Sequence, residues 1–243
     1  MTMRPAAILL DLDDTILSSL GGQREAWDAV LRVYEGRFGD HEHGTVHAGM
    51  LDASRSLWDD ADSHREWRQD IRAARRELVR RAFTALTLDD EALCHELADA
   101  FSDHRDEAMH LFPGAVDALE ALRARGIPLA LITNGGAPAQ RAKIERFDLA
   151  RHFDHILVEG EFGKGKPEPE VFHHLMDCFG TTPETTWVVG DNLEWEVVAP
   201  QKLGMFAIWC DAHRRGLPQD CGVVPDRIIH SLAELLEGLD DQP

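Results

Sequence analysis

A single apolar strand, Ala6-Ala7-Ile8-Leu9-Leu10, stands far from any partner it can pair with, and that separation constrains the chain more than any other feature. From about Ser18 to His110 no strand pattern appears; Gln23–Phe38, Gly49–Asp60, His64–Ala85 and Asp89–His110 have helical spacing instead. After Pro113-Gly114 the texture alternates: helix over Val116–Arg125, strand Pro128–Thr133, helix Ala137–Phe147, strand His155–Val158, helix Pro169–Phe179 and strand Thr186–Gly190. Helical residues then end near Leu203, followed by strands Met205–Trp209 and Arg227–Ile229 and a closing helix, Leu232–Leu239. Such alternation implies a parallel sheet with right-handed crossovers. An apolar run without polar alternation suits a strand covered on both faces, so the first strand belongs to that sheet and the helical stretch is an insert. The expected fold is therefore α/β, a doubly wound parallel sheet formed by residues 1–17 and 111–243, with a helical domain over 18–110. An insert leaving after the carboxyl end of the first strand reads as a lid, with Gly21-Gly22 and Phe112-Pro113-Gly114 as hinges.

Open α/β sheets bind ligands beyond the carboxyl ends of their strands, and four of those ends carry chemistry here. Asp11-Leu12-Asp13-Asp14-Thr15 follows the first strand, and side chains two apart bring Asp11 and Asp13 into one cleft. Such a pair suits a divalent cation, or a division into nucleophile and general acid. Thr133-Asn134-Gly135-Gly136 offers a hydroxyl and backbone N–H groups to phosphate oxygens. Lys164 and Lys166 stand in the loop Gly163-Lys164-Gly165-Lys166-Pro167, and Gly190-Asp191-Asn192 ends another buried strand, with Glu194 and Glu196 after it. Each has a bland alternative, a helix cap or a solvated turn. Their shared position and order argue against four coincidences.

These motifs resemble the haloacid dehalogenase superfamily, in its phosphatase branch with a helical (C1-type) cap and a Rossmann-like core. Phe112-Pro113-Gly114 and Pro169-Glu170-Val171-Phe172 look like further family signatures. The resemblance implies a Mg²⁺-dependent phosphatase working through an aspartyl-phosphate. Asp11 would be the nucleophile and Asp13 the acid and base. Lys166, the lysine directly before proline, would neutralise the phosphate together with Thr133, Asn134 and Gly135, with Lys164 the fallback. Mg²⁺ would be held by Asp11, the main-chain carbonyl of Asp13 and Asp191, with Glu196 acting through a water. Glu196 departs from the Asp usual there, and Ala199-Pro200 replaces small residues, so proline should kink that helix or delay its start. Thr133-Asn134-Gly135 followed by Gln140-Arg141 and Lys143-Ile144-Glu145 is similar to the N-acylneuraminate-9-phosphatase and nucleotidase-like branch; phosphoglycolate phosphatases share most of these motifs. A 2-haloacid dehalogenase, a phosphomutase and a catalytically silent binding protein are the competing classes.

Charge and composition narrow the partners. A net charge of −19 repels nucleic acid and anionic membranes but accepts metal cations. Cys94, Cys178, Cys210 and Cys221 form no paired spacing and suit reduced thiols, no apolar run reaches a membrane span, and no secretory leader is visible, so a cytoplasmic monomer or homodimer acting on a small phosphorylated metabolite is expected. His41, His43 and His47 read as a solvated loop rather than a second metal site. The Arg72, Arg76, Arg80 stripe with Arg75 reads as a solvated face paired with acids such as Glu77, the sharper alternative being one arginine turned inward. Trp58 and Trp67 read as core of the insert.

Overall fold

The computed structural model describes residues 4–19, 22–219, 221–237 and 239. The chain divides into two compact units, residues 1–18 with 110–243, and residues 19–109. The first unit is built on a parallel sheet of β1 (Ala7–Leu10), β4 (Leu129–Thr133), β5 (His155–Val158), β6 (Thr186–Gly190), β7 (Phe206–Cys210) and β8 (Arg227–Ile229), in the order β5-β4-β1-β6-β7-β8. β1 lies at its centre, with Leu9 opposite Ala130 on one side and Val188 on the other. The chain builds outward from β1 through β4 and β5, then resumes on the other flank through β6, β7 and β8. That reversal opens a crevice at the carboxyl end of β1.

Helices α6 (Ala115–Ala124), α7 (Ala137–Arg146) and α9 (Pro169–Phe179) return the chain between strands. Helix α9 shows why the sequence folds this way. Pro169 occupies its first turn, where a missing N–H costs nothing, and Gly180 ends it in the left-handed conformation. Between them Val171, Phe172, Leu175 and Met176 form one apolar stripe, which packs with Leu9, Ala130, Ile132 and Val188. Leu9 and Phe172 are fully buried, each stabilising the fold by roughly 1.5–3 kcal/mol.

Several expectations are corrected. The closing helix is a single 3₁₀ stretch, Leu232–Leu236. A two-stranded antiparallel ribbon, β2 (Leu17–Ser18) with β3 (His110–Leu111), escapes the sequence reading because each strand has two residues. Pro200 begins a short helix, α10 (Ala199–Lys202), while Leu193–Val198 before it forms a wider π-helical stretch. The proline has no N–H to donate back to Glu196, which fits a later α-helical start there.

The second unit contains α1 (Gln23–Val33), α2 (His43–Trp58), α3 (Ala61–Trp67), α4 (Ile71–Ala85) and α5 (Glu91–Ala108). α1 and α4 each pack against both α2 and α5 around a core that includes Trp27, Met50, Leu78 and Leu97. The expected helix over His64–Ala85 is broken because Asp60 and Asp70 each accept a backbone N–H, from Ser63 at 2.8 Å and Ala73 at 3.0 Å, and so begin separate helices. His43 and His47 lie in α2, not in a loop; they bond Asp28 and the Arg24 carbonyl. The arginine stripe is exposed and paired, Arg72 with Asp103 and Asp106, Arg76 with Asp99, and Arg80 with Glu77. Arg75 alone of these turns inward, its guanidinium 5.5 Å from the Phe101 ring centroid, and burial pulls its pKa down to about 10. Of the two glycines read as an exit hinge, Gly21 lies outside the described residues and Gly22 is the left-handed residue before α1. No helix among the described residues is long and apolar enough to cross a membrane.

Candidate active site

The strand-end motifs converge at the crevice beyond β1. Asp11 takes its place through a backbone bond from its N–H to the Val189 carbonyl at 2.9 Å, which ties β1 to β6 at their carboxyl ends. The chain then turns sharply. Ile16 and Leu17 donate back to the Leu12 carbonyl, and Asp14 adopts a left-handed φ of 57° that a short acidic side chain tolerates. The Asp14 carboxylate is held by His213 Nε2 at 2.7 Å.

Asp11 is buried, and its Oδ1 lies 2.5 Å from Lys166 Nζ, while Thr15 Oγ1 donates to its Oδ2 at 3.3 Å. Lys166 is fully buried and also meets Glu196 Oε1 at 2.7 Å. Lys164 instead points outward and pairs with Glu170. Burial opposes the Lys166 charge, yet Asp11 and Glu196 together hold its pKa above the ordinary lysine value.

The lysine loop is clamped to the end of β4. Asn134 Nδ2 donates to the Lys166 carbonyl at 2.7 Å, and Asn134 Oδ1 accepts the Lys166 N–H at 2.8 Å. The side chain of Asn134 is thus a bracket between two loops and is committed to the Lys166 backbone. The Gly135 N–H donates to Glu159 Oε2 at 2.8 Å, so in this conformation it is committed to a carboxylate. Glu159 follows β5 directly, opens the one-turn helix α8 (Glu159–Phe162) and is buried. Gly165 passes so close to this bracket that an added Cβ would lie 2.6 Å from Asn134 Oδ1 and from the Glu159 carboxyl carbon. Thr133 closes β4 and is buried at the same level.

Glu196 lies in the π-helical stretch and folds back across the end of β6. Its Oε2 accepts the Asn192 N–H at 2.8 Å, and a Cβ on Gly190 would sit 2.1 Å from its Cγ. The longer side chain therefore puts this carboxylate on Lys166. Burial pushes Glu196 up to about 7, and burial together with the Asp11 and Glu196 carboxylates pushes Asp191 up to about 9. Burial also raises Asp11 despite its lysine partner. Asp191 is fixed from behind, its carbonyl accepting Trp209 Nε1 at 2.7 Å. The adjacent Cys210 thiol, pushed by burial up to about 12, stays protonated and is no rival nucleophile.

This donor set fits a divalent cation. Asp11, Asp191 and Glu196 face one buried ammonium, so the ionised cluster carries a formal charge of −2 that Mg²⁺ would balance. No group of three or more His, Cys, Asp or Glu side chains has metal-binding geometry among the described residues. A set of two carboxylates, one main-chain carbonyl and waters requires no such group. A cavity of about 790 Å³ between α2 and α4, lined by Glu42, Gly49, Asp52 and Arg81 among others, contains none of these acids.

Glu159, Gln140, Lys143 and His213 complete the arrangement, and sequence reasoning assigned none of them a role. Glu159 carried the same signal as Asp11 and Asp191, an acid directly after a buried strand. Gln140 and Lys143 share a helix face by their spacing of three.

The sequence model for haloacid dehalogenase-like hydrolases matches residues 5–204, and the chain belongs to that family of hydrolases. It is 40% identical over 141 residues to a phosphoserine phosphatase of Thermus thermophilus, a match covering 58% of this chain and 55% of that protein. It is 27% identical to the N-acylneuraminate-9-phosphatase of Rattus norvegicus, over 96% of this chain and 92% of the relative. In structure it resembles the putative hydrolase YfnB of Bacillus subtilis, described as bound to magnesium, with a TM-score of 0.70, 23% identity and coverage of 98% and 100%.

Proposed function

We propose that the protein is a Mg²⁺-dependent phosphatase that hydrolyses small phosphorylated metabolites through a phosphorylated Asp11. The observation that carries the reading is the buried Asp11–Lys166 pair at 2.5 Å, beside acids whose crowding raises Asp191 and whose ionised form would need a cation to balance it. The phosphatase names of the curated relatives support it. Residues 18–110 are read as the family's helical cap.

The chemistry follows from the residues. An Asp11 oxygen attacks phosphorus while Asp13 gives a proton to the departing alkoxide oxygen; Asp13 then takes a proton from the water that cleaves the Asp11–phosphorus bond. Lys166, the Thr133 hydroxyl and the Asn134 backbone N–H neutralise and orient the equatorial oxygens. Mg²⁺, held by Asp11, Asp191 and the Asp13 carbonyl, would supply further neutralisation of phosphoryl charge. Glu196, lying against Lys166, serves to hold that lysine. A halide leaves without a proton, so dehalogenation would give Asp13 no task, which favours the phosphatase reading.

The test is a screen of the full chain with Mg²⁺ against a panel of phosphate monoesters, alongside Asp11→Asn. Turnover should require Mg²⁺ and vanish in the variant while its circular dichroism is unchanged. Equal turnover in Asp11→Asn, or in excess chelator, refutes the mechanism; halide release from 2-halo acids in place of phosphate release refutes the reaction class.

A further inference from the structure

Two side chains of α7 are turned onto the Asp13 carboxylate. Lys143 Nζ lies 2.8 Å from Asp13 Oδ1 and 2.7 Å from Oδ2. Gln140 Nε2 lies 3.2 Å from the same Oδ2 and donates to the main-chain carbonyl of Asn134 at 2.6 Å. Exposed lysine–carboxylate pairs hold little geometry, because both side chains stay mobile and solvated. This pair is different: the Lys143 and Asp13 side chains are only 19% and 25% exposed, and Gln140 behind them is buried.

We propose that Lys143 and Gln140 are positioning residues for Asp13, and that α7 thereby sets the proton-transferring carboxylate in register with the phosphate cradle. The inference rests on Asp13 being the acid and base of the proposed reaction. Asp13 has a short side chain in an irregular turn, and the hydrogen bonds to its carboxylate among the described residues come from α7, not from that turn. Lys143 restrains both oxygens at once. Gln140 ties one of them to the backbone of Asn134, the residue whose N–H is assigned to phosphate. One helix face therefore fixes the separation between the proton donor and the loop that holds phosphorus. When the leaving oxygen arrives, one Lys143 contact yields to it, and the remaining contacts keep the carboxylate aimed. Misplacement of a reacting group by about 1 Å costs rate on the order of 100-fold, so this control acts on turnover rather than on phosphate affinity.

The experiment compares the full chain with Lys143→Met, Lys143→Arg and Gln140→Leu, with Mg²⁺, on an alkyl phosphate and on p-nitrophenyl phosphate. An alkoxide needs the proton to leave; a nitrophenolate does not. Lys143→Met should lower kcat/KM for the alkyl ester by about 10- to 100-fold and leave the aryl kcat/KM within about threefold. That ratio reads the transfer to Asp11 in which the leaving group departs, whereas the cleavage of phosphorylated Asp11 is common to both esters and also uses Asp13. Lys143→Arg should recover most of the alkyl turnover, and Gln140→Leu should give the same pattern more weakly. Equal losses of kcat/KM on both esters, or an unaltered alkyl kcat/KM, would overturn the proposal. Crystal structures supply a readout independent of activity: Asp13 should have one orientation in the parent protein and Lys143→Arg, and several in Lys143→Met. A single unchanged orientation in Lys143→Met would also overturn it. Absence of turnover by the parent protein on every ester fails the phosphatase reading itself, whereas turnover without a leaving-group split fails only the role of α7.

Discussion

Asp191→Asn should stabilise the protein when no divalent cation is present. Burial and the neighbouring Asp11 and Glu196 carboxylates raise the Asp191 carboxyl from 3.8 to about 9. The folded state then keeps a proton that the unfolded chain releases, so the stability contribution is intact below about pH 4 and declines as pH climbs toward about 9. At about 1.4 kcal/mol per pH unit, the loss at pH 8 has a ceiling of roughly 6 kcal/mol. Solvent and protein relaxation, expressed as an effective dielectric constant of about 20, bring the expected penalty to about 2 kcal/mol. Asparagine keeps the size and removes the titration. For a chain of this length that corresponds to a Tm higher by about 4–8 °C at pH 8. Scanning calorimetry in excess chelator should find this gap at pH 8 and find it shrinking toward zero near pH 4. Added Mg²⁺ should raise the parent Tm and leave the variant unmoved, which reverses their order. A variant that melts lower than the parent in chelator at every pH, a gap that widens as pH falls, or an equal Mg²⁺ response in both proteins would refute the charge argument.

Asp13→Asn should lower kcat/KM far more for an alkyl phosphate than for an aryl phosphate, in steady-state assays of both; equal losses of kcat/KM would deny it a role in protonating the leaving group. Gly165→Ala should cut kcat/KM by at least about tenfold and lower stability by about 1–3 kcal/mol, since the new methyl has only Asn134 and Glu159 to displace; unchanged kinetics would mean the two loops move independently. Leu9→Ala, at the centre of the sheet, should reduce the free energy of unfolding in urea by about 2–5 kcal/mol.

Much of this architecture is visible in the chain itself because burial on both faces leaves an unmistakable trace. Leu129–Thr133 and Thr186–Gly190 are apolar runs that stop at a hydroxyl and at a glycine, and those stops are where the crevice opens. Asp11, Thr133 and Asp191 are legible for that reason, whereas Lys166 is told from Lys164 only by its place before a proline in the resemblance. The interruption at Asp70 is harder to see, since a capping aspartate inside a helical pattern looks like any polar surface residue until its side chain is found on the Ala73 N–H. Gln140 and Lys143 act across more than a hundred residues of sequence, and no local pattern records that reach. Glu196 is the subtlest case. The type of residue suggests a looser metal contact, whereas the extra methylene and the π-helical turn deliver its carboxylate to Lys166.

The overlap between Gly190 and Glu196 makes these two positions a single unit of variation. Any side chain at 190 collides with the stem of Glu196 under a buried lysine, so the fate of a change at one position is contingent on the other. Shortening residue 196 does not clear the space, because its Cβ alone would lie 2.9 Å from the new methyl, so alanine at 190 requires the π-helical turn itself to move. The glycine thus acts as a spacer for the whole turn: while the backbone at 196 keeps this place, any side chain there closes the mutational paths that begin at 190.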